Sequence, residues 1–230
     1  MKTNCQFSPE ERLAVYRAIN ERRDIRHFVP FDLEEGVLRR LLEAAHTAPS
    51  VGFMQPWDFI VIRDEDRRRD IRDHALAEKE KAGRHYTGER AELYRGLKVE
   101  GIAECSAVIV VTCDPERGGS VNLGRTTMPQ TAQFSACAAI QNLWLAARAE
   151  GLGVGWVSIL EPSWVKELLG IPPNIEMIAL LCVGAARDFP PKPLLQTAGW
   201  RQRELLEKVV HAGYWGTPYS WGKTALEQKS

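Results

Sequence analysis

The sequence predicts an α+β fold in which helices flank a central mixed sheet. Two helical patterns open the chain, four strand-like runs follow at uneven intervals, and a long apolar helix separates the second run from the third. Because helices and strands do not alternate strictly, these elements favour α+β over a regular βα repeat. One domain over residues 1–230 is expected, with a core at about 10–216 and a tail at 217–230.

The first two elements are predicted to be helices. Residues 8–11 (SPEE) supply an N-cap, a proline at the first helical position and a capping-box glutamate. This helix is expected to end near residues 22–24. A second helix is predicted to begin at Asp32, where a glutamate follows three residues later, and to stop at Pro49.

The middle of the chain alternates between apolar and charged stretches. Residues 57–63 (WDFIVIR) predict a strand, and the highly charged residues 64–104 predict mostly helix. A buried strand is expected over residues 107–113 and a long loop over 114–130, where glycine, proline and threonine are frequent. A long apolar helix is predicted over residues 131–150, with small residues for close packing.

The last third carries two more strands and shorter helices. Residues 154–160 (VGWVSIL) and 175–183 predict strands, and residues 164–169 predict a short helix with Ser163 as a candidate cap. One further helix is expected within residues 199–216.

Composition excludes several classes of protein. The net charge is +0, with 30 basic and 30 acidic residues, so no nucleic-acid or anionic-membrane partner is predicted. The apolar runs are much shorter than the ~20 residues of a membrane span, and the N-terminus lacks the apolar region of a secretory signal. We therefore expect a cytoplasmic protein.

The pattern of cysteines and histidines predicts no metal site. The five cysteines form no CxxC pair, and the five histidines lack metal-ligand spacing. Free thiols are expected, buried where the cysteine lies in an apolar run, as Cys113, Cys137 and Cys182 do.

Arg22, Arg23, Asp24, Ile25 and Arg26 form the first candidate binding segment. Guanidinium groups bind phosphate through paired hydrogen bonds. They also complement the dipole at the C-terminus of a helix. Taken alone, the cluster favours the helix-end interpretation.

Two further segments are candidates for contact with a flat ligand. Residues 48–57 (APSVGFMQPW) join a helix to a strand and offer a hydroxyl, an amide and exposed backbone, although the spacing alone favours an ordinary αβ turn. Gly153 and Gly155 precede a strand and follow a helix, which is the wrong order for a dinucleotide fingerprint. Glycines at a strand entrance allow a flat ligand to approach the backbone closely.

Taken in order, these segments resemble the FMN-dependent nitroreductase superfamily, and within it the 5,6-dimethylbenzimidazole synthases. The resemblance covers roughly residues 10–216. The matching motifs are RRDIRHF (22–28), EAAHTAPSVGFMQPWDFIVIRD (43–64), LYRGLKVEGI (93–102), VTCDPERGG (111–119), IQNLWLAARAEGLGVGWVSIL (140–160) and GWRQR (199–203).

The resemblance implies an FMN site. Residues 22–26 would bind the phosphate and the polar ring edge, and Ser50 would lie beside the isoalloxazine. Leu97 belongs to a segment that covers the flavin in the family, and Arg201 is a weaker phosphate candidate. An intertwined homodimer with flavin at the interface is implied as well. Phe134 departs from the family, in which a tyrosine is expected.

Two residues separate this branch from ordinary nitroreductases. Asp24 stands where many relatives have serine, and Ser158 ends the GWVS motif. In this branch reduced FMN (FMNH2) is the substrate and molecular oxygen the co-substrate; the products are 5,6-dimethylbenzimidazole and erythrose 4-phosphate, and a separate NAD(P)H flavin reductase supplies FMNH2. Asp24 would move protons and Ser158 would position oxygen. The alternatives are an NAD(P)H-dependent nitroreductase or flavin reductase and a non-catalytic flavin-binding protein.

Overall fold

A computed structural model describes residues 5–221, which form two compact units. The first runs to Pro191 and contains the sheet; the second begins at Lys192. Residues 222–230 of the predicted tail (217–230) lie outside the described part of the chain.

The first unit opens with two helices at or near their predicted positions. Helix α1 spans Pro9–Glu21, and the capping box is confirmed because Ser8 Oγ accepts the Glu11 N–H while Glu11 accepts the Ser8 N–H. Helix α2 spans Glu35–His46, three residues inside its predicted start.

The sheet has four strands in the order β1-β2-β4-β3. They are β1 (Trp57–Ile62), β2 (Ala107–Cys113), β3 (Leu152–Val157) and β4 (Glu176–Ala185). Every neighbouring pair is antiparallel, so the prediction of a mixed sheet is wrong for the four strands. The reason is that the β1–β2 and β3–β4 connections reverse the chain direction, while β4 lies between β2 and β3, which run in the same direction without pairing. Parallel pairing occurs in the described residues as an isolated bridge between Asp24 and Val154.

Helices cover both faces of this sheet. The other helices of the first unit are α3 (Glu65–Gly83), α4 (Gly88–Gly96), α5 (Thr131–Ala149) and α6 (Pro162–Leu169). On one face Leu41 of α2 and Leu143 of α5 pack with Leu181 of β4. On the other face Ile71 of α3 and Val165 of α6 pack in the second cluster. Strand β2 is buried along its whole length because both faces are covered.

Helix α5 packs on the same face of the sheet as α2 and carries two residues considered above, Cys137 and Phe134. Cys137 is exposed on it, so the expectation of a buried thiol is wrong there, whereas Cys113 and Cys182 are buried. All five cysteines are free thiols. Phe134 is also exposed, because it lies on the side of α5 that faces away from the sheet.

The long loop over residues 114–130 is confirmed, and arginines hold it together. Arg125 donates to the carbonyls of Gly119 and Ser120. Arg117 connects the loop to β1 by donating to the carbonyl of Trp57 at 2.9 Å. Side-chain bonds to main-chain carbonyls therefore replace the regular pairing that the described part of this segment lacks.

The second unit is short and presents apolar side chains to solvent. It contains the four-residue helix α7 (Leu194–Thr197) and a single 3₁₀ turn at Leu206–Lys208. The predicted helix within residues 199–216 is wrong, since the described chain there is otherwise irregular. Among the described residues, no helix is both long enough and apolar enough to cross a bilayer.

Candidate functional site

The arginine segment, residues 22–26, leaves α1 as an extended chain and lies along β3. The Ile25 N–H donates to the Val154 carbonyl at 2.9 Å, and Asp24 forms the parallel bridge to the same residue. The Ile25 side chain is buried in the second core cluster. Core packing on one side and strand pairing on the other therefore fix this segment in position.

Three glycines leave the space that the segment occupies. A Cβ on Gly155 would lie 2.1 Å from the Ile25 carbonyl oxygen, and one on Gly153 would lie 2.8 Å from Ile25 Cγ1. A Cβ on Gly101 would lie 3.0 Å from the Arg26 carbonyl oxygen. Gly153 and Gly155, both within β3, thus leave room for a backbone segment, and the approach of a flat ligand that the sequence predicts there stays a prediction.

Asp24 and Arg26 are both bonded to Trp156 of β3. Asp24 Oδ1 accepts the Trp156 N–H at 2.9 Å, and Arg26 Nη2 donates to the Trp156 carbonyl at 2.6 Å. The same Nη2 lies 2.6 Å from Asp24 Oδ2. The carboxylate is therefore held at both oxygens, by a backbone donor and by a cation.

The electrostatic environment of Asp24 contains opposing effects. Burial raises the pKa of its carboxyl above the ordinary value, although 46% of the side chain is exposed. Arg26, the Trp156 N–H and Arg22 each lower the same pKa. A carboxyl with a raised pKa and a fixed orientation is suited to accept and release a proton.

Arg22 and Arg23 use their guanidinium groups differently. Arg23 donates to four main-chain carbonyls, those of Asn20, Arg22, Pro190 and Pro191. The Arg22 guanidinium lies over the ring of Trp144, 5.0 Å from the centroid, and makes no hydrogen bond or ion pair with residues 5–221. Binding of an anion by Arg23 would require it to exchange these carbonyl contacts, whereas Arg22 can bind one without breaking any.

Ser158 is the first residue beyond β3 and is exposed. It follows Trp156 by two residues, so it lies on the order of 7 Å further along the chain. Asp24 and Ser158, which are 134 positions apart in sequence, therefore both lie near the C-terminal end of β3.

Ser50 lies in a loop whose backbone is strained. Phe53 and Gln55 have positive φ angles of 54° and 49°, which are uncommon for residues with side chains. Ser50 Oγ accepts the Gln55 N–H at 3.0 Å, and Arg117 donates to the Gln55 carbonyl at 3.0 Å. The surrounding bonds thus hold an unfavourable backbone in place, an arrangement that is concentrated at functional sites.

Leu97 follows α4 and is 7% exposed. Lys79 of α3 donates to its carbonyl at 2.6 Å, and a Cβ on Gly101, four residues later, would lie 3.0 Å from the Arg26 carbonyl oxygen. The segment that follows α4 therefore reaches the arginine segment. Arg201 belongs to the second unit, where its side chain is exposed, and its phosphate role stays a prediction.

Sequence reasoning missed several residues of this site. Trp144, Arg117, Lys79 and Gly101 each hold a predicted residue in place, yet no motif marked their roles. Trp144, Gly101 and Arg117 fall within the motifs quoted above, and for Trp144 a tryptophan on an otherwise small-residue helix face was a further signal. Lys79 lies outside these motifs and acts on main-chain carbonyls, which carry no sequence pattern.

A cavity of about 490 Å³ lies elsewhere, between α3 and α4. Lys79, Arg84, Tyr86, Tyr94 and Arg95 are among its lining residues. Its lining does not include the arginine segment.

Comparison with known proteins identifies the family. The nitroreductase family model matches residues 19–185. This protein belongs to the nitroreductase family. It is 40% identical to a 5,6-dimethylbenzimidazole synthase of Rhodospirillum rubrum over 88% of this chain and 96% of the relative. It is 39% identical to another of Rhodobacter capsulatus, over 85% of this chain and 95% of that one.

Solved structures agree on the fold. An oxidised iodotyrosine deiodinase, crystallised with FMN and 3-iodo-L-tyrosine, superimposes with a TM-score of 0.68 at 21% identity. The match covers 84% of this chain and 96% of the deiodinase chain. The predicted α+β fold of the nitroreductase type is therefore confirmed.

Gly155→Ala is expected to destabilise the protein by about 1–3 kcal/mol or more, because its methyl group would overlap the Ile25 carbonyl. Denaturant unfolding measures this change. Gly96→Ala is the matched control, since a Cβ at Gly96 has no neighbour within 4 Å. Equal unfolding free energies for Gly155→Ala and the wild type would contradict the close approach described here.

Proposed function

We propose that this protein is a 5,6-dimethylbenzimidazole synthase. In this reaction reduced FMN and molecular oxygen are converted to 5,6-dimethylbenzimidazole and erythrose 4-phosphate, a step that supplies the lower ligand of cobalamin. The observation that carries the proposal is the placement of Asp24 and Ser158 at one end of β3. Two relatives that bear this name, at 39% and 40% identity over most of the chain, support it.

The residues present fit FMN. Arg22 offers a guanidinium without a hydrogen-bonded partner among residues 5–221, as an anionic phosphate requires. Arg26 and Ile25 provide a rigid edge, because β3 holds both. Arg23 and Arg201 are further candidates for the phosphate, and Ser50 for the ring edge.

Each residue of the site has a defined task in the proposal. Asp24 holds or moves a proton at its carboxylate, which is partly exposed although both of its oxygens are bonded. Ser158 presents a hydroxyl that positions oxygen at the ring. Leu97 excludes water by covering the ligand. These tasks need fixed orientations, and the bonds to Trp156 fix that of Asp24.

We also propose that the protein acts as a homodimer. Helix α1 contributes no buried residue to the protomer, and its apolar residues Leu13, Tyr16 and Ile19 are exposed. In the second unit Tyr214 and Trp215 are more than four-fifths exposed. Apolar surfaces of this kind usually mark interfaces. We place the reaction in the cytoplasm, with a separate NAD(P)H-dependent flavin reductase as the source of FMNH2.

The proposed activity is tested by aerobic incubation with FMN, NADH and a flavin reductase, followed by chromatography for 5,6-dimethylbenzimidazole. Asp24→Asn is expected to lower product formation by about 100-fold or more, the contribution of a positioned acid or base. Ser158→Ala is expected to lower it as well. Both variants should still bind FMNH2. Wild-type protein that reduces nitroaromatics with NAD(P)H and forms no benzimidazole would instead identify a nitroreductase.

Arg22→Met is expected to weaken FMN binding by about 10- to 100-fold, because a charge-assisted hydrogen bond contributes about 1.5–3 kcal/mol. Fluorescence titration of FMN measures the affinity. Arg39→Met is the control, since Arg39 is exposed on α2 and pairs with Glu43. Unchanged affinity in Arg22→Met would remove Arg22 from the phosphate site.

The dimer is tested by light scattering after size exclusion. The chain has a mass of 25.9 kDa, so a dimer gives 2 × 25.9 = 51.8 kDa. Tyr16→Asp is expected to shift the protein toward monomer, because it places a charge within the exposed apolar face of α1. A wild-type mass near that of one chain would contradict the dimer.

A further inference from the structure

Two side chains of helix α3 form hydrogen bonds with segments that contain predicted site residues. His74 contacts the segment that follows Ser158, and Lys79 contacts the segment of Leu97. Both side chains belong to one helix, five residues apart. Ile71 and Ala75 anchor this helix in the core, each fully buried.

His74 holds the chain immediately beyond Ser158. Its Nε2 accepts the Glu161 N–H at 3.1 Å. The ring also stacks on Trp164 of α6, with centroids 4.1 Å apart and planes 6° from parallel. Glu161 follows Ser158 by three residues and is the N-cap of α6. One hydrogen bond and one ring stack therefore fix the C-terminal end of residues 158–161, which are called the Ser158 segment below.

Lys79 holds the chain at the end of α4. Its ammonium donates to the carbonyls of Leu97 at 2.6 Å and of Arg95 at 3.2 Å. Carbonyls at a helix C-terminus lack partners within the helix and attract cations. The same segment passes close to residues 26–28 at Gly101, where an added Cβ would lie 2.7 Å from the Phe28 ring and 3.0 Å from the Arg26 carbonyl oxygen. The Leu97 segment is thus held between α3 and the arginine segment.

We propose that His74 and Lys79 are positioning residues, through which α3 fixes the Ser158 and Leu97 segments relative to one another around the same ligand. This inference rests on the proposed function for its chemistry and on α3 for its geometry. Neither side chain is assigned contact with the flavin. Their effect is on the fate of reduced flavin: a fixed enclosure favours fragmentation, whereas a loose one allows oxygen to reoxidise FMNH2 to FMN with release of hydrogen peroxide.

Two pairs of variants separate positioning from general stability. His74→Phe keeps an aromatic ring against Trp164 and removes the acceptor, and His74→Gln restores an acceptor near the Nε2 position. Lys79→Met keeps the aliphatic stem and removes the ammonium, and Lys79→Arg restores the cation. Lys81→Met is the control, because Lys81 is exposed on the same helix and pairs with Glu78.

The first measurement is hydrogen exchange of the full-length protein without ligand. We expect exchange to rise about 3- to 10-fold at residues 158–161 in His74→Phe and at 97–102 in Lys79→Met, as the loss of one hydrogen bond predicts. The second is the ratio of 5,6-dimethylbenzimidazole to hydrogen peroxide at saturating FMNH2. This ratio should fall in both variants and recover in His74→Gln and Lys79→Arg.

The outcomes distinguish this inference from the proposed function. Wild-type exchange and product ratio in His74→Phe and Lys79→Met, or an equal effect in Lys81→Met, would overturn the role of α3. A wild-type protein that forms no benzimidazole would overturn the proposed function alone. Exchange would then decide the role of α3 by itself, since raised exchange at the two segments supports it and unchanged exchange refutes it.

Discussion

The attachment of residues 24–26 to β3 is the interaction on which the rest of the site depends. The Asp24 carboxylate, the Ile25 N–H and the Arg26 guanidinium each bond to the backbone of β3. Backbone partners cannot rotate away as side chains can, so the three groups are held in one arrangement. The arrangement exists only because Gly155 has no side chain where the Ile25 carbonyl lies. A site organised before ligand binding loses less entropy when the ligand is bound.

The position of β3 at the edge of the antiparallel sheet makes this attachment possible. Strand β3 is at an edge of the order β1-β2-β4-β3, so one side of its backbone is free to pair. The arginine segment occupies part of that edge as a short parallel bridge. It thereby satisfies backbone groups that would otherwise offer an exposed edge for association. Trp144 of α5 adds support from the first face, because its indole N–H donates to the Arg23 carbonyl at 3.1 Å.

At other places around the site, charged side chains donate hydrogen bonds to main-chain carbonyls. These bonds fix the loops to which the carbonyls belong. Arg117 fixes the strained loop of Ser50, Lys79 fixes the end of α4, and Arg23 fixes the chain at Pro190. Each bond joins segments that are far apart in sequence or separated by an irregular stretch. Loops that carry function lack the packing of a core, so these polar contacts provide their order.

Local patterns were sufficient to predict many elements of this fold. The capping box at Ser8, the alternation in β1 and the apolar run of β2 depend on near neighbours, so their elements were predicted at or close to their limits. The resemblance of several motifs added the family and a list of site residues. The helix expected within residues 199–216 is absent from the described chain there, because apolar spacing alone does not provide a surface on which such a helix can pack.

The sequence by itself determined the set of residue types. These are arginines after the first helix, glycines around the start of the predicted third strand, and an aspartate and a serine in distinctive motifs. Tertiary structure decided what each of them does. It left Arg22 available while engaging Arg23 with carbonyls, exposed Cys137, and made every strand pair antiparallel. The physical reason is that hydrogen-bond partners and burial depend on segments brought together from distant parts of the chain. A local sequence pattern does not encode these long-range contacts.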